Sequence, residues 1–155
     1  MSVENVWDYP RPPRLERVPV PVVVVFGGVE IVRSVDAWRV LETSHPPTYY
    51  VPPGDVAPGA LAPAAGMSFC EWKGRARYFD VSAGGRLARR AAWSYPEPTP
   101  AFAGLAGLVA FYPGPMDRCM VGEMVVEPQP GDFYGGWVTP NLRGPFKGGP
   151  GSAGW

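Results

Sequence analysis

The chain is poor in charge and in the side chains that most enzymes use for catalysis. Charged residues make up 18% of its 155 residues, and it contains one histidine and two cysteines. The 14 basic and 14 acidic residues cancel to a formal net charge of zero, and no basic cluster stands out. Because binding to duplex nucleic acid depends on basic residues that neutralise phosphates, we predict no nucleic-acid duplex as a partner.

Long apolar segments are missing as well. The longest, residues 20–26, includes Pro21 and is far shorter than the roughly 20 residues that cross a bilayer. The first nine residues contain neither the basic nor the apolar part of a signal peptide. Two cysteines, Cys70 and Cys119, make no disulfide framework, so we expect reduced thiols. These features predict a cytoplasmic protein with no membrane partner.

The sequence motifs of several well-known enzyme classes are absent. The chain has neither a phosphate-binding loop with a Gly-Lys-Ser/Thr ending nor a Gly-x-Gly-x-x-Gly turn. It has no Asp-x-Asp or Asp-x-Glu pair that would hold two magnesium ions, and no Gly-x-Ser-x-Gly elbow. One histidine and two distant cysteines are too few for a structural zinc site. We therefore predict no metal site and no cofactor.

Glycine and proline are abundant, with 20 and 21 residues, and aromatic side chains make up 13% of the chain. So much glycine and proline is typical of disordered chains, but this many aromatic side chains favour a packed core. The length suits one core and not two. We predict a single compact domain over residues 1–155.

Three hairpin patterns determine the predicted fold class. Short apolar segments flank Gly27-Gly28, the loop 82–86 and Gly122-Glu123, which are turn sequences that tolerate positive φ. The prediction is a mainly β domain of antiparallel hairpins that form a curled sheet or partial barrel. Because Pro21 cannot donate to a sheet ladder, we expect the strand after it to begin at a sheet edge.

The remaining segments are rich in glycine or proline. Thr99 and Pro100 suit the start of a helix, so we predict one short helix near residues 100–108. Residues 45–65 contain many prolines and are predicted to form a long irregular connection. Residues 128–155 combine glycine and proline with aromatic anchors, and we expect this extension to pack on the domain.

Three residues are candidates for catalysis, although no catalytic role is assigned to any of them. His45 is the only histidine, so a Ser-His or Cys-His mechanism has to use it. Cys70 and Lys73 lie within five residues of each other, together with Glu71 and Trp72. Each residue also has a structural interpretation: His45 as a loop anchor, Cys70 as a small buried apolar group, and Lys73 as a cation lying over an aromatic ring.

Aromatic residues near these candidates predict a ligand pocket. Apolar walls with a few polar groups are the usual form of a small-molecule site. Glu97 lies between two prolines, which hold it in an extended segment. The predicted ligand-binding residues are Tyr49, Tyr50, Trp72, Lys73, Trp93, Tyr95 and Glu97, with His45 as a further polar group.

Several uncommon sequence words point to a known family. They are VFGG at 25–28, LETSHPPTYY at 41–50, CEWKG at 70–74, AWSYPEP at 92–98 and VAFYP at 109–113. With these words the chain resembles the bacterial family called domain of unknown function 427, over about residues 22–117. The resemblance implies a mostly β cytosolic domain, similar to tent-like β folds. It also brings a nucleotidyltransferase-like label, which the missing carboxylate pair does not support.

Three functions stay open from the sequence. The first is a domain that binds a small-molecule ligand in the aromatic pocket. The second is an enzyme, either a nucleotidyltransferase as the family label suggests or one that uses Cys70, Lys73 and His45. The third is a structural or interaction module that binds another protein or pairs with a second copy of itself as a homodimer.

Overall fold

Two β-sheets pack face to face and contain most of the strands. The computed structural model describes residues 2–70, 72–131, 134–149, 151, 152, 154 and 155. The strands in this part of the chain are β1 (Glu4–Asn5), β2 (Arg14–Arg17), β3 (Val22–Phe26), β4 (Val29–Ser34), β5 (Trp38–Leu41), β6 (Thr48–Val51), β7 (Leu61–Cys70), β8 (Gly74–Ala83), β9 (Arg86–Ser94), β10 (Val109–Phe111), β11 (Arg118–Val121), β12 (Met124–Val125), β13 (Glu127–Pro128), β14 (Trp137–Val138) and β15 (Leu142–Arg143).

The larger sheet has seven strands in the order β2-β5-β6-β10-β9-β8-β7, and every neighbouring pair is antiparallel. The smaller sheet has the order β12-β11-β3-β4. Two short pairs, the parallel β1-β15 and the antiparallel β13-β14, complete the sheets formed by the described residues. The prediction of a mainly β fold built from antiparallel hairpins is confirmed, with open sheets and no closed barrel among the described strands.

All three predicted hairpins form. Gly27 and Gly28 join β3 to β4, and both have positive φ, as a tight two-residue turn requires. β8 and β9 form the second hairpin, and β11 and β12 form the third. The third turn begins at Gly122, whose φ is +57°.

The predicted position of the first hairpin strand is wrong. β3 lies between β11 and β4, so it is an inner strand of the smaller sheet. Pro21 precedes the strand, which begins at Val22, and its missing amide hydrogen therefore removes no ladder bond. Its carbonyl accepts a hydrogen bond from Gly122 N at 2.7 Å.

Residues 45–65 are more regular than predicted. They contain β6, the 3-10 helix Pro53–Asp55 and the first part of β7. Most of the prolines lie between these elements, and Pro63 lies on β7, an edge strand whose register shifts between Pro63 and Met67. A proline at an irregular edge position removes no bond that a neighbouring strand needs.

The predicted helix near 100–108 is a 3-10 helix, Pro100–Leu105, interrupted by a non-helical Phe102. Thr99 makes no side-chain cap; its hydroxyl donates to the Trp72 carbonyl instead. A third 3-10 helix, Val6–Asp8, follows β1. Within the described residues, no helix is long and apolar enough to cross a membrane.

The main hydrophobic core lies between the two sheets. Val22, Val24 and Phe26 of the smaller sheet share this core with Tyr49 and Phe111 of the larger sheet. Because side chains alternate along a strand, Tyr50 points to the opposite face of the larger sheet and joins a second cluster with Trp93 and Tyr95. The larger sheet is therefore apolar on both faces, and its second face carries the site described next.

Candidate functional site

A cleft of about 1190 Å³ lies on the face of the seven-stranded sheet that is turned away from the smaller sheet. Its floor comes from strands β6, β8 and β9, which contribute Tyr50, Tyr78 and Trp93, and from Tyr95, which directly follows β9. The loop around His45 and the extension after residue 127 form further walls. The site therefore combines a rigid sheet with two irregular segments.

The floor contains a row of aromatic side chains. Tyr50, Ala110, Trp93 and Tyr78 are cross-strand neighbours on β6, β10, β9 and β8. The ring centroids of Tyr50 and Trp93 are 6.5 Å apart, and Tyr112 approaches Trp93 to 4.5 Å. Rings at these separations stabilise one another, which gives the cleft a stiff and largely apolar floor.

The Tyr50 hydroxyl is the buried polar group without a partner in this floor. Tyr50 is 0% exposed, and its hydroxyl makes no hydrogen bond with the described residues. Trp93 and Tyr95 lie close enough to the hydroxyl to oppose the rise in its pKa, but neither meets the distance and angle limits of a hydrogen bond. Burial raises the pKa of Tyr50, so the phenol stays protonated. A buried hydroxyl without a hydrogen-bond partner destabilises the folded protein, and a new hydrogen bond would remove that cost.

His45 lies in the wall of the cleft that its loop forms. Hydrogen bonds around its ring define which nitrogen carries the proton. Gln129 Oε1 accepts a hydrogen bond from Gly136 N at 3.1 Å, which fixes the orientation of the amide. Gln129 Nε2 then donates to Lys147 O at 2.8 Å and to His45 Nδ1 at 3.2 Å. Since Nδ1 accepts, the neutral imidazole carries its proton on Nε2. Nε2 lies 3.9 Å from a Glu42 carboxylate oxygen, too far for a hydrogen bond.

Backbone hydrogen bonds from two other segments of the chain hold the loop that contains His45. Ser44 has a φ of +68°, a left-handed conformation that is uncommon outside glycine. Ser44 N donates to Val6 O, and Ser44 O accepts from Lys147 N at 2.8 Å. Trp137 N donates to Pro47 O at 2.8 Å. The N-terminal segment and the extension therefore determine together where the imidazole lies.

The environment of His45 disfavours a second proton. Burial lowers the pKa of His45 to about 4, and the positive charges of Lys73, Lys147 and Arg11 act in the same direction. The Tyr134 ring also packs edge-on against the imidazole, with centroids 4.9 Å apart. His45 is therefore neutral at pH 7 and presents an N–H group.

Two cations lie over aromatic rings of the cleft. Lys73 Nζ is 5.8 Å from the Tyr95 ring centroid, and the Arg90 guanidinium carbon is 4.2 Å from that of Tyr78. Arg90 has a φ of +51° beside a shift in the β8-β9 register, and Asp80 accepts from its backbone N–H at 2.8 Å. A bulge of this kind re-aims a side chain, here the Arg90 side chain that lines the cleft.

The extension packs on the domain and forms part of the cleft wall. A Cβ added to Gly135 would overlap the Trp93 ring, so the backbone of the extension lies directly on that indole. Lys147 is buried, and its ammonium donates to the carbonyls of Ser152 and Trp155 at 2.8 and 3.2 Å. Of the aromatic anchors, Phe133 falls outside the described residues.

The structure brings together most of the residues singled out from the sequence. Seven of the nine line this one cleft: His45, Tyr50, Cys70, Trp72, Lys73, Trp93 and Tyr95. Tyr49 lies on the other face of the sheet, where its ring packs 5.0 Å from that of Trp137. Glu97 is exposed and does not line the cleft. Within the described residues, no group of three or more His, Cys, Asp or Glu side chains is placed to hold a metal ion.

Sequence reasoning missed several lining residues. Gln129 is the most informative, because its amide determines the tautomer of His45 from 84 positions away. Arg90, Tyr78 and Tyr112 also line the cleft. Tyr78 could have been found from the alternation of β8, whereas nothing in the sequence indicates that Gln129 reaches His45.

Comparison with known proteins identifies the family of the chain through a family model alone. No curated protein matches the chain. A family model described as a domain of unknown function (DUF427) matches residues 14–122. The match contains all the sheet-borne residues of the cleft and the His45 loop, and it ends before Gln129 and the rest of the extension. This chain belongs to the DUF427 family.

Proposed function

We propose that this protein binds a small molecule with a planar aromatic ring in the cleft above the seven-stranded sheet. The observation that carries the proposal is the Tyr50 hydroxyl, which is fully buried in the cleft floor and has no hydrogen-bond partner among the described residues. An unpaired buried hydroxyl costs about 1–3 kcal/mol. Because the hydroxyl is not exposed, a ligand would meet it only after a neighbouring ring moves aside, and a polar atom of that ligand would then remove the cost.

The lining supports a ring-shaped ligand. Trp72, Trp93 and Tyr95 offer flat apolar surfaces, while His45 and Lys73 supply polar groups at the wall. An aromatic pair contributes about 0.5–1.5 kcal/mol beyond the burial of its apolar area. The cleft volume of about 1190 Å³ is somewhat above the usual range of small-molecule sites, so it suits a ligand with more than one ring or with a side group.

Catalysis is the second candidate function. It is supported by the presence of His45, Cys70 and Lys73 in the lining of one cleft. A general base, however, needs a free lone pair, and the one on His45 Nδ1 accepts from Gln129. In this arrangement His45 acts as a hydrogen-bond donor, which favours binding over base catalysis. A Cys70 or Lys73 reaction that does not use His45 as a base is compatible with the same cleft.

The test measures binding of 1-naphthol, a planar aromatic compound with one hydroxyl, by ligand-observed NMR. We expect saturable binding, and we expect Tyr50→Phe to weaken it by about threefold to tenfold, the worth of one hydrogen bond. Tyr49→Phe is the matched control, because Tyr49 is the adjacent residue on the opposite face of the sheet. Absence of binding, or an equal effect of the two substitutions, would refute the proposal.

A further inference from the structure

The charges that line the cleft are predominantly positive. Among the described lining residues Arg11, Lys73, Arg90 and Lys147 are cationic, and Glu42 is the only acidic residue. The whole chain is neutral, so this imbalance is local to the cleft. Clefts lined by one sign of charge concentrate ligands of the opposite sign.

The four cations differ in how far the protein already uses them. Lys147 is bonded to backbone carbonyls, and Arg11 donates to Thr43 O at 3.3 Å. Arg90 lies close over Tyr78. The Lys73 ammonium makes no hydrogen bond or ion pair with the described residues, and it lies 5.8 Å from the Tyr95 ring centroid, farther than the Arg90 guanidinium lies from the Tyr78 ring. Lys73 is therefore the cation best placed to meet a ligand.

The His45 wall adds an N–H group to the same region. Lys73 and His45 line the same cleft, and the Lys73 ammonium lies 5.8 Å from the Tyr95 ring centroid. The imidazole donates from Nε2, because Gln129 occupies Nδ1. Among the described residues the Nε2 proton makes no hydrogen bond, and the Glu42 oxygen is 3.9 Å away. An ammonium and an N–H donor together form a recognition site for anionic oxygens.

We propose that the ligand of this cleft is an aromatic anion, whose ring packs on Trp72, Trp93 and Tyr95 and whose anionic oxygens bind Lys73 Nζ and His45 Nε2. This inference rests on the proposed function and narrows its ligand class. A carboxylate and a phosphate present the same anionic oxygens, so both are included. The Glu42 carboxylate opposes the anion, and its removal strengthens binding.

The experiment compares three compounds with the same ring at pH 7 and low salt. They are 1-naphthoate, 1-naphthyl phosphate and neutral 1-naphthol, and binding is followed by ligand-observed NMR and by the imidazole resonances of the single histidine. We expect at least one of the anions to bind about tenfold more tightly than 1-naphthol. The better anion identifies the carboxylate or the phosphate as the preferred group.

Three variants locate the anion. Lys73→Met keeps the apolar stem and removes the charge, and it should reduce the preference for the anion over 1-naphthol to about twofold. Glu42→Gln should increase the preference. Arg75→Met is the matched control: it removes a positive charge from β8 at an exposed residue that does not line the cleft, and it should leave the preference unchanged.

The outcomes separate this inference from the proposed function. Binding of 1-naphthol that equals or exceeds that of both anions would overturn the anionic ligand class and leave the binding function standing. An equal loss of anion preference in the Lys73 and Arg75 variants would overturn the assignment to Lys73, because the effect would then come from general charge. Failure of all three compounds to bind would refute both proposals.

Discussion

Gln129 Nε2 and His45 Nδ1 lie 3.2 Å apart, and this hydrogen bond joins the extension of the chain to the loop of its only histidine. The Gln129 amide cannot turn over, because its oxygen accepts from Gly136 N. The bond therefore holds His45 as a neutral imidazole with its proton on Nε2. The same residue pair places a donor in the cleft and excludes Nδ1 as a base.

Acidification should destabilise the protein through His45. Burial lowers the pKa of His45 in the folded state to about 4, with Lys73, Lys147 and Arg11 adding to the effect, whereas the unfolded value is about 6.5. Between these two values the unfolded chain binds more protons, so stability falls as the pH falls. We expect the free energy of unfolding to drop by about 1–2 kcal/mol between pH 7 and pH 5, after allowance for solvent screening.

Urea unfolding at the two pH values measures this effect, and His45→Gln is the control. The variant lacks the imidazole, so its stability should change much less over the same interval. A wild-type stability that is constant from pH 7 to pH 5, or a variant with the same loss, would contradict the prediction. The imidazole resonances of wild-type protein give the pKa of His45 directly, because no other histidine is present.

Replacing Gln129 by leucine should destabilise the folded protein and should allow the His45 imidazole to adopt both neutral tautomers. The substitution leaves Gly136 N, Lys147 O and His45 Nδ1 without their present partner. Gln129 is 3% exposed, so water does not readily replace the lost bonds. We expect a loss of about 2–3 kcal/mol, the typical cost of leaving buried polar groups unpaired.

The tautomer gives an independent measurement on the same variant. The nitrogen chemical shifts of the imidazole should show the Nε2-protonated form in the wild type and a mixture of both forms in Gln129→Leu. Unchanged shifts would mean that another group determines the tautomer, even where stability is lost.

The two cysteines should differ sharply in reactivity toward a disulfide reagent at pH 8. Cys119 is buried in the core between the sheets, and burial raises its pKa to about 12. Cys70 is half-buried and lines the cleft. Because the thiolate is the reactive form, one thiol per chain should react in the folded protein and the second only after unfolding.

The Ellman reagent measures the two rates, and single substitutions assign them. Cys70→Ser should abolish the fast reaction, whereas Cys119→Ser should preserve it. Bound 1-naphthol should slow the reaction of Cys70. A fast reaction that persists in Cys70→Ser would contradict the placement of this thiol in the cleft.

Gly84 should tolerate a side chain far less than its neighbour Gly85. Both have positive φ, +57° and +79°, so either substitution by alanine strains the backbone by about 1 kcal/mol. A Cβ on Gly84 would also overlap the Gly27 carbonyl, where the first two hairpin turns touch, whereas a Cβ on Gly85 meets nothing within 4 Å. We expect Gly84→Ala to lose at least about 2 kcal/mol more than Gly85→Ala.

Urea unfolding of the two variants compares them under identical conditions. Because both substitutions add the same methyl group in the same turn, their difference isolates the contact between the hairpins. Equal losses would show that the two turns separate without cost.

Local chemistry made the hairpins predictable. Gly27-Gly28 and Gly122-Glu123 lie between apolar segments, and the turn geometry depends only on residues next to one another. The prolines of residues 45–65 misled the prediction, because β6 and β7 form only when neighbouring strands accept their hydrogen bonds. Strand formation in residues 45–65 therefore depends on pairing with other strands of the sheet and not on the residues of this segment alone.

Local sequence patterns were enough to predict a mainly β chain built from hairpins and to single out seven residues that line the cleft. Which of these side chains come into contact depends on how distant segments pack together. Tyr49 and Tyr50 are equivalent in composition, yet alternation along β6 sends one into the core and the other into the cleft. Gln129 reaches His45 only because the extension folds back over the sheet. Contacts between distant parts of the chain depend on packing, which no local pattern of residues encodes.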